Sequence, residues 1–83
     1  MNTDCTNINL QNYSECGWDL IEYCEGKGRK RIYVAEVSNR RYGKTIISSS
    51  TLSYEAAEEN VFDSTNYWIS TCLNRQVMNR DYN

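Results

Sequence analysis

The 83-residue chain has no histidine, no proline and only four glycines. Without histidine the commonest general base near neutral pH is missing, and a serine or cysteine nucleophile lacks its customary activator. No glycine-rich phosphate loop, cofactor fingerprint or recognisable carboxylate pair is present either. These absences argue against catalysis and against a cofactor, so a binding role is expected. No proline marks a linker, and there is neither an internal repeat nor a low-complexity tract. The longest apolar run, Ile32-Tyr33-Val34-Ala35, is far short of the roughly 20 residues that cross a bilayer.

Cysteine is present but in no metal-binding pattern. Cys5, Cys16, Cys24 and Cys72 contain no CxxC pair and have no histidine to complete a zinc set, so no metal site is expected. Residues Met1 to Leu10 are polar and Asn-rich, without the basic and apolar regions of a secretory signal. The expected location is the cytoplasm, and there the four cysteines read as reduced thiols that act as small hydrophobes.

What the chain does have is enough apolar and aromatic content, 40% and 12%, to build a packed core. Its length sets one domain, residues 1–83, as the ceiling. The pattern predicts an α+β fold. Ile8 to Cys16 reads as a short helix stopped by Gly17. Trp18 to Cys24 reads as a strand closed by Gly26-Lys27-Gly28. The β-branched and aromatic run Ile32 to Val37 reads as the central strand, and Tyr42 to Ser48 as the third. Connections this short favour an antiparallel meander, since parallel neighbours need long crossovers.

Ser53 then offers an N-cap oxygen, and Glu55, Glu58 and Glu59 complement the helix dipole. A long helix starts there, with an apolar stripe through Tyr54, Ala57, Val61, Trp68 and Cys72, widened by Phe62, Ile69 and Leu73. It is expected to end between Arg75 and Arg80 and to cover one face of the sheet, giving the order αβββα. Tyr33, Val37, Val61 and Trp68 should be buried together. Tyr67 and Tyr82 lie off the stripe, where exposed tyrosines serve interfaces.

Charge is sorted along the chain. Lys27, Arg29, Lys30, Arg31, Arg40, Arg41 and Lys44 face the single acid Glu36 over residues 27–44, a local balance of seven minus one, or +6. The remainder carries two bases, Arg75 and Arg80, against ten acids, or −8. The basic residues fall at the two turns flanking the central strand, where they could fork phosphates or protect strand ends from edge pairing. The acids Glu55, Glu58, Glu59 and Asp63 could simply complement the dipole, or form a patch aimed at the basic groove of a nucleic-acid-handling protein.

Two resemblances follow. The predicted order, with Leu10-Gln11-Asn12-Tyr13 before Gly17, Tyr23, Tyr33-Val34-Ala35-Glu36-Val37 and Tyr42-Gly43, resembles a double-stranded-RNA-binding domain. That family grips RNA through a Pro and His in the first strand loop and lysines opening the last helix. Here those places read Gly26-Lys27-Gly28-Arg29 and Ser53-Tyr54-Glu55-Ala56-Ala57-Glu58-Glu59, and acids repel phosphate. The chain is also similar to small phage-encoded inhibitors of bacterial defence, anti-CRISPR proteins among them, in being short, acidic, Asn- and Tyr-rich and free of enzymatic motifs. That resemblance implies a viral, non-enzymatic inhibitor acting as monomer or homodimer in the host cytoplasm, which blocks a nucleic-acid-handling protein or ribonucleoprotein by charge-complementary binding. The alternatives are a nucleic-acid-binding module using the basic turns, and a structural or oligomerisation subunit.

Overall fold

The computed structural model describes residues 4–73. Three strands, β1 (Trp18–Glu25), β2 (Ile32–Asn39) and β3 (Lys44–Ser50), are followed by a helix, α1 (Tyr54–Trp68), whose last turn widens into a π-helical segment, Ile69–Leu73. The sheet order is β1-β2-β3 and both pairings are antiparallel. This is the α+β meander with one covering helix that the strand-length apolar runs predict. A 3₁₀ turn, Gly28–Lys30, carries the chain from β1 to β2. Gly26, just before it, has φ +81, and a Cβ there would collide with the Lys30 carbonyl, so no other residue fits this turn without rearrangement.

Register decides which residues reach the core. On β2 the odd-numbered Tyr33, Ala35, Val37 and Asn39 face α1, opposite Cys24, Glu22, Leu20 and Trp18 of β1 and Ser50, Ser48, Ile46 and Lys44 of β3. From α1 come Ala57, Val61 and Phe62, with Ile69 just beyond. Val37 and Val61 are fully buried, whereas Tyr33 and Trp68 are partly buried against that centre. The fully sequestered tryptophan is instead Trp18, 2% exposed. Thr65 is also buried, and its hydroxyl donates back to the Val61 carbonyl at 2.7 Å, which satisfies it without a partner on the sheet.

Ser53 caps α1 as expected, its hydroxyl accepting the Ala56 N–H at 3.1 Å. The expected helix end between Arg75 and Arg80, and Tyr82, lie outside the described residues.

Two expectations for the amino-terminal segment are overturned. Residues 10–17 form a series of turns rather than a helix: the main-chain bonds mix spans of three, four and five residues, with Gly17 N–H on the Ser14 carbonyl, Tyr13 N–H on that of Asn9 and Trp18 N–H on that of Tyr13, so no helical repeat is sustained. The Asn9 side chain accepts from the Gln11 and Asn12 N–H groups, and that of Asn12 accepts from the Asn9 N–H and donates to the Asp4 and Asn7 carbonyls. These side-chain bonds fix the local turns. Second, Cys5 and Cys16 are not reduced thiols but a disulfide, their Cα atoms 5.5 Å apart; Cys24 and Cys72 are free and exposed. The turns bring two cysteines eleven residues apart into bonding range, which no linear motif announces. This bond also removes the cysteine argument for a reducing compartment.

Candidate functional site

The amino-terminal strap and α1 enclose an open groove of about 600 Å³. Because Ala57, Val61 and Thr65 turn toward the sheet, the helical period brings Glu55, Glu58, Glu59 and Asp63 out along one flank. All four line the groove. Asn7, Asn9 and Gln11 are carried by the facing strap, and Ile8, Leu10 and Phe62 supply apolar surface. Glu55, Glu59 and Asp63 recur every four residues, so their stations along the axis are about 6 Å apart.

The strap is tied to the body at Ile8 by both backbone and side chain, at Tyr13, whose ring lies 5.9 Å from that of Phe62, and at Cys16, whose carbonyl accepts from the Asn39 side chain. Ile8 is 1% exposed and belongs to the core. The Asn66 side chain accepts the Ile8 N–H and donates to the Ile8 carbonyl at 3.0 Å and to the Asn7 side chain at 3.1 Å. The Cys5–Cys16 bond closes the same strap on itself.

Charge within the groove is crowded. Partial burial raises the Glu58 pKa above its ordinary 4.5, and the charge of Glu22 on β1, a hydrogen bond between the two carboxyls and the charge of Glu55 push it further up. The folded state therefore holds this proton more tightly than the unfolded chain. That contribution to stability is complete below the ordinary glutamate range and is lost as pH rises through the raised value. Glu58→Gln should consequently raise the melting temperature at pH 7, with the gain shrinking toward zero on acidification below 4.5. A variant that melts lower than wild type at pH 7 would contradict the crowding.

The seven basic residues occupy the two turns at opposite ends of β2, which are roughly 24 Å apart at about 3.4 Å per strand residue. Lys27, Arg29, Lys30 and Arg31 are exposed at one end, and Arg40 and Arg41 at the other, with Lys44 half-buried. The second turn is aromatic as well as basic. Tyr42 packs 5.7 Å from Trp68 and 6.4 Å from Trp18, ring centre to ring centre. The Arg41 guanidinium lies 6.0 Å from the Tyr42 ring and the Lys44 ammonium 5.5 Å from that of Trp68. Beside this turn a recess of about 390 Å³ is lined by Glu15, Asp19, Asn39, Arg40 and Arg41, among others.

On the sheet face away from α1 Val34 is buried, whereas Ile21 and Ile47 are 57% and 58% exposed on either side of Glu36. A hydrogen bond to Glu36 pushes the Tyr23 hydroxyl up to about 12, so it stays protonated. Among the described residues no group of three or more Cys, Asp or Glu side chains could hold a metal ion, and no helix is long and apolar enough to cross a membrane.

The acidic patch and both basic turns were readable as charge runs. The second wall of the groove was not, because Ile8 and Asn66 are 58 positions apart and asparagine carries no motif of its own. Tyr42 was readable as a strand residue, but not as part of an aromatic cluster with Trp18 and Trp68. The architecture defines the chain as an α+β meander with an acidic strap-and-helix groove. Against family models, curated proteins and solved structures alike, the chain finds no match.

Proposed function

We infer that the protein is a non-enzymatic binding protein whose acidic groove engages a cationic surface of a nucleic-acid-handling partner and so excludes the natural ligand. The observation that carries this reading is the convergence of Glu55, Glu58, Glu59 and Asp63 on one concave surface with an apolar component. Carboxylates fixed on a helix can occupy positions that phosphates would take, and their stations about one turn apart suit a row of arginines or lysines. Charge complementarity of this kind sets association rate and partner choice; Leu10, exposed on the strap, adds the apolar contact from which affinity grows. The similarity to small anti-defence inhibitors points to RNA-guided nuclease complexes as the partner class, since these hold nucleic acid in a positively charged channel.

The test is inhibition of DNA cleavage across a panel of purified RNA-guided nucleases. The wild-type protein should inhibit at least one. Changing Glu55, Glu58 and Glu59 together to lysine should weaken that inhibition by at least about tenfold, roughly 1.4 kcal/mol, with the far-ultraviolet dichroism of α1 retained. Reversal of Arg29, Arg31, Arg40 and Arg41 to glutamate should matter less. Retained inhibition after the acidic reversal, combined with its loss after the arginine reversal, would overturn the reading.

A further inference from the structure

The Arg40–Lys44 turn is a second surface with its own chemistry, about a strand length from the other basic turn and unused by the acidic groove. Its tyrosine is held rather than loose. Tyr42 is 41% exposed, and its ring is flanked by Trp68 at 60° and by the buried Trp18 at 47°. Trp18 and Trp68 in turn meet edge-on, 85° between planes, at 6.1 Å. Three rings anchored in the core at Trp18 thus present one partly bare aromatic surface at the tip of a β-turn. The exposed Arg40 and Arg41 precede it directly. The 6.0 Å separation of the Arg41 guanidinium from the Tyr42 ring lies at the outer limit of a cation–π contact, so this side chain is available to a stronger partner. Lys44 is already seated over Trp68 and serves to brace the cluster.

We propose that this turn binds single-stranded nucleic acid, with an unpaired base stacked on Tyr42 and the adjoining phosphates held by Arg40 and Arg41. Every base has a π face, so a supported aromatic ring beside cations gives affinity without sequence preference. A duplex keeps its base faces covered by their neighbours, and so cannot use the ring. The other basic turn, Lys27 to Arg31, has the cations but no aromatic residue, and offers phosphate contact alone. Asp19, which shares the recess with Arg40 and Arg41, disfavours phosphate on that side and leaves the outer side of the turn to the strand.

The experiment uses the full, oxidised chain and fluorescein-labelled decamers of thymidylate and adenylate, with a blunt duplex of the same length, at low and moderate salt. Single strands should bind more tightly than the duplex and quench the indole emission, because both tryptophans adjoin Tyr42. Tyr42→Ala should weaken single-strand binding about tenfold, and Tyr42→Phe, which keeps the ring, should bind like wild type. Replacing Arg40 and Arg41 by glutamine should lower the salt slope by about 1.4, at roughly 0.7 per cationic contact on a single strand. Tyr42→Leu supplies an apolar control if the alanine variant is poorly folded, and it should also bind weakly. Equal affinity for duplex and single strand, undiminished binding by Tyr42→Leu, or no binding to any strand at low salt would each overturn the proposal.

Discussion

Trp18→Ala should destabilise the protein by about 3 to 5 kcal/mol, the range for emptying a large aromatic site in a core. Trp18 opens β1 opposite Asn39, faces α1 and belongs to the same buried cluster as Ile8, Val37 and Ile69. Removing it takes away the ring against which Trp68 rests edge-on and beside which Tyr42 lies. Because a domain of this size shifts its melting temperature by roughly 4 to 8 °C per kcal/mol, a fall of at least about 12 °C is expected on thermal unfolding. Trp68→Ala should cost less, since that ring is only partly buried and already meets the Lys44 ammonium. Equal losses at the two positions, or a negligible loss at Trp18, would show that the core is not centred where the burial places it.

Loss of the Cys5–Cys16 bond is the second large effect. With eleven residues of separation, loop-closure entropy in the unfolded chain gives a stabilisation of about 3 kcal/mol. The double variant Cys5→Ser/Cys16→Ser should therefore unfold at a lower denaturant midpoint than the oxidised protein. Reductant should bring wild type to the same midpoint while leaving the variant unmoved. An unchanged midpoint in both would mean that the bond constrains nothing the unfolded chain explores. The effect should reach the groove too, because Asn7, Ile8, Asn9, Leu10 and Gln11, which line one side of it, all lie between the two cysteines. Nuclease inhibition should weaken on reduction even where the sheet and α1 remain folded.

Much of the architecture was legible because it rests on local chemistry. Ile32 to Val37 is β-branched and aromatic, Gly26 and Gly43 sit at turns with positive φ, and Ser53 is a cap that announces itself. The expected strands fall within two residues of those observed. The amino-terminal segment was misread because Ile8, Leu10 and Tyr13 do suggest a weak helical stripe, while Asn9 and Asn12 spend their side chains on turns. Of the site, the carboxylates could be named from sequence and their opposite wall could not. A wall made by a distant asparagine and a disulfide depends on contacts that no local window contains.

The clasp between Asn66 and Ile8 also sets an order of events. Both strand pairings, and the contact of α1 with β3, join segments that follow one another directly in the chain, and such short closures cost little entropy and form early. The clasp must instead close a span of 58 residues, and the site it docks on exists only once α1 lies on the sheet. The strap is thus expected to seat after the sheet and α1 have met. The groove is completed late on this order of closures, and opening it again would draw Ile8 out of the core.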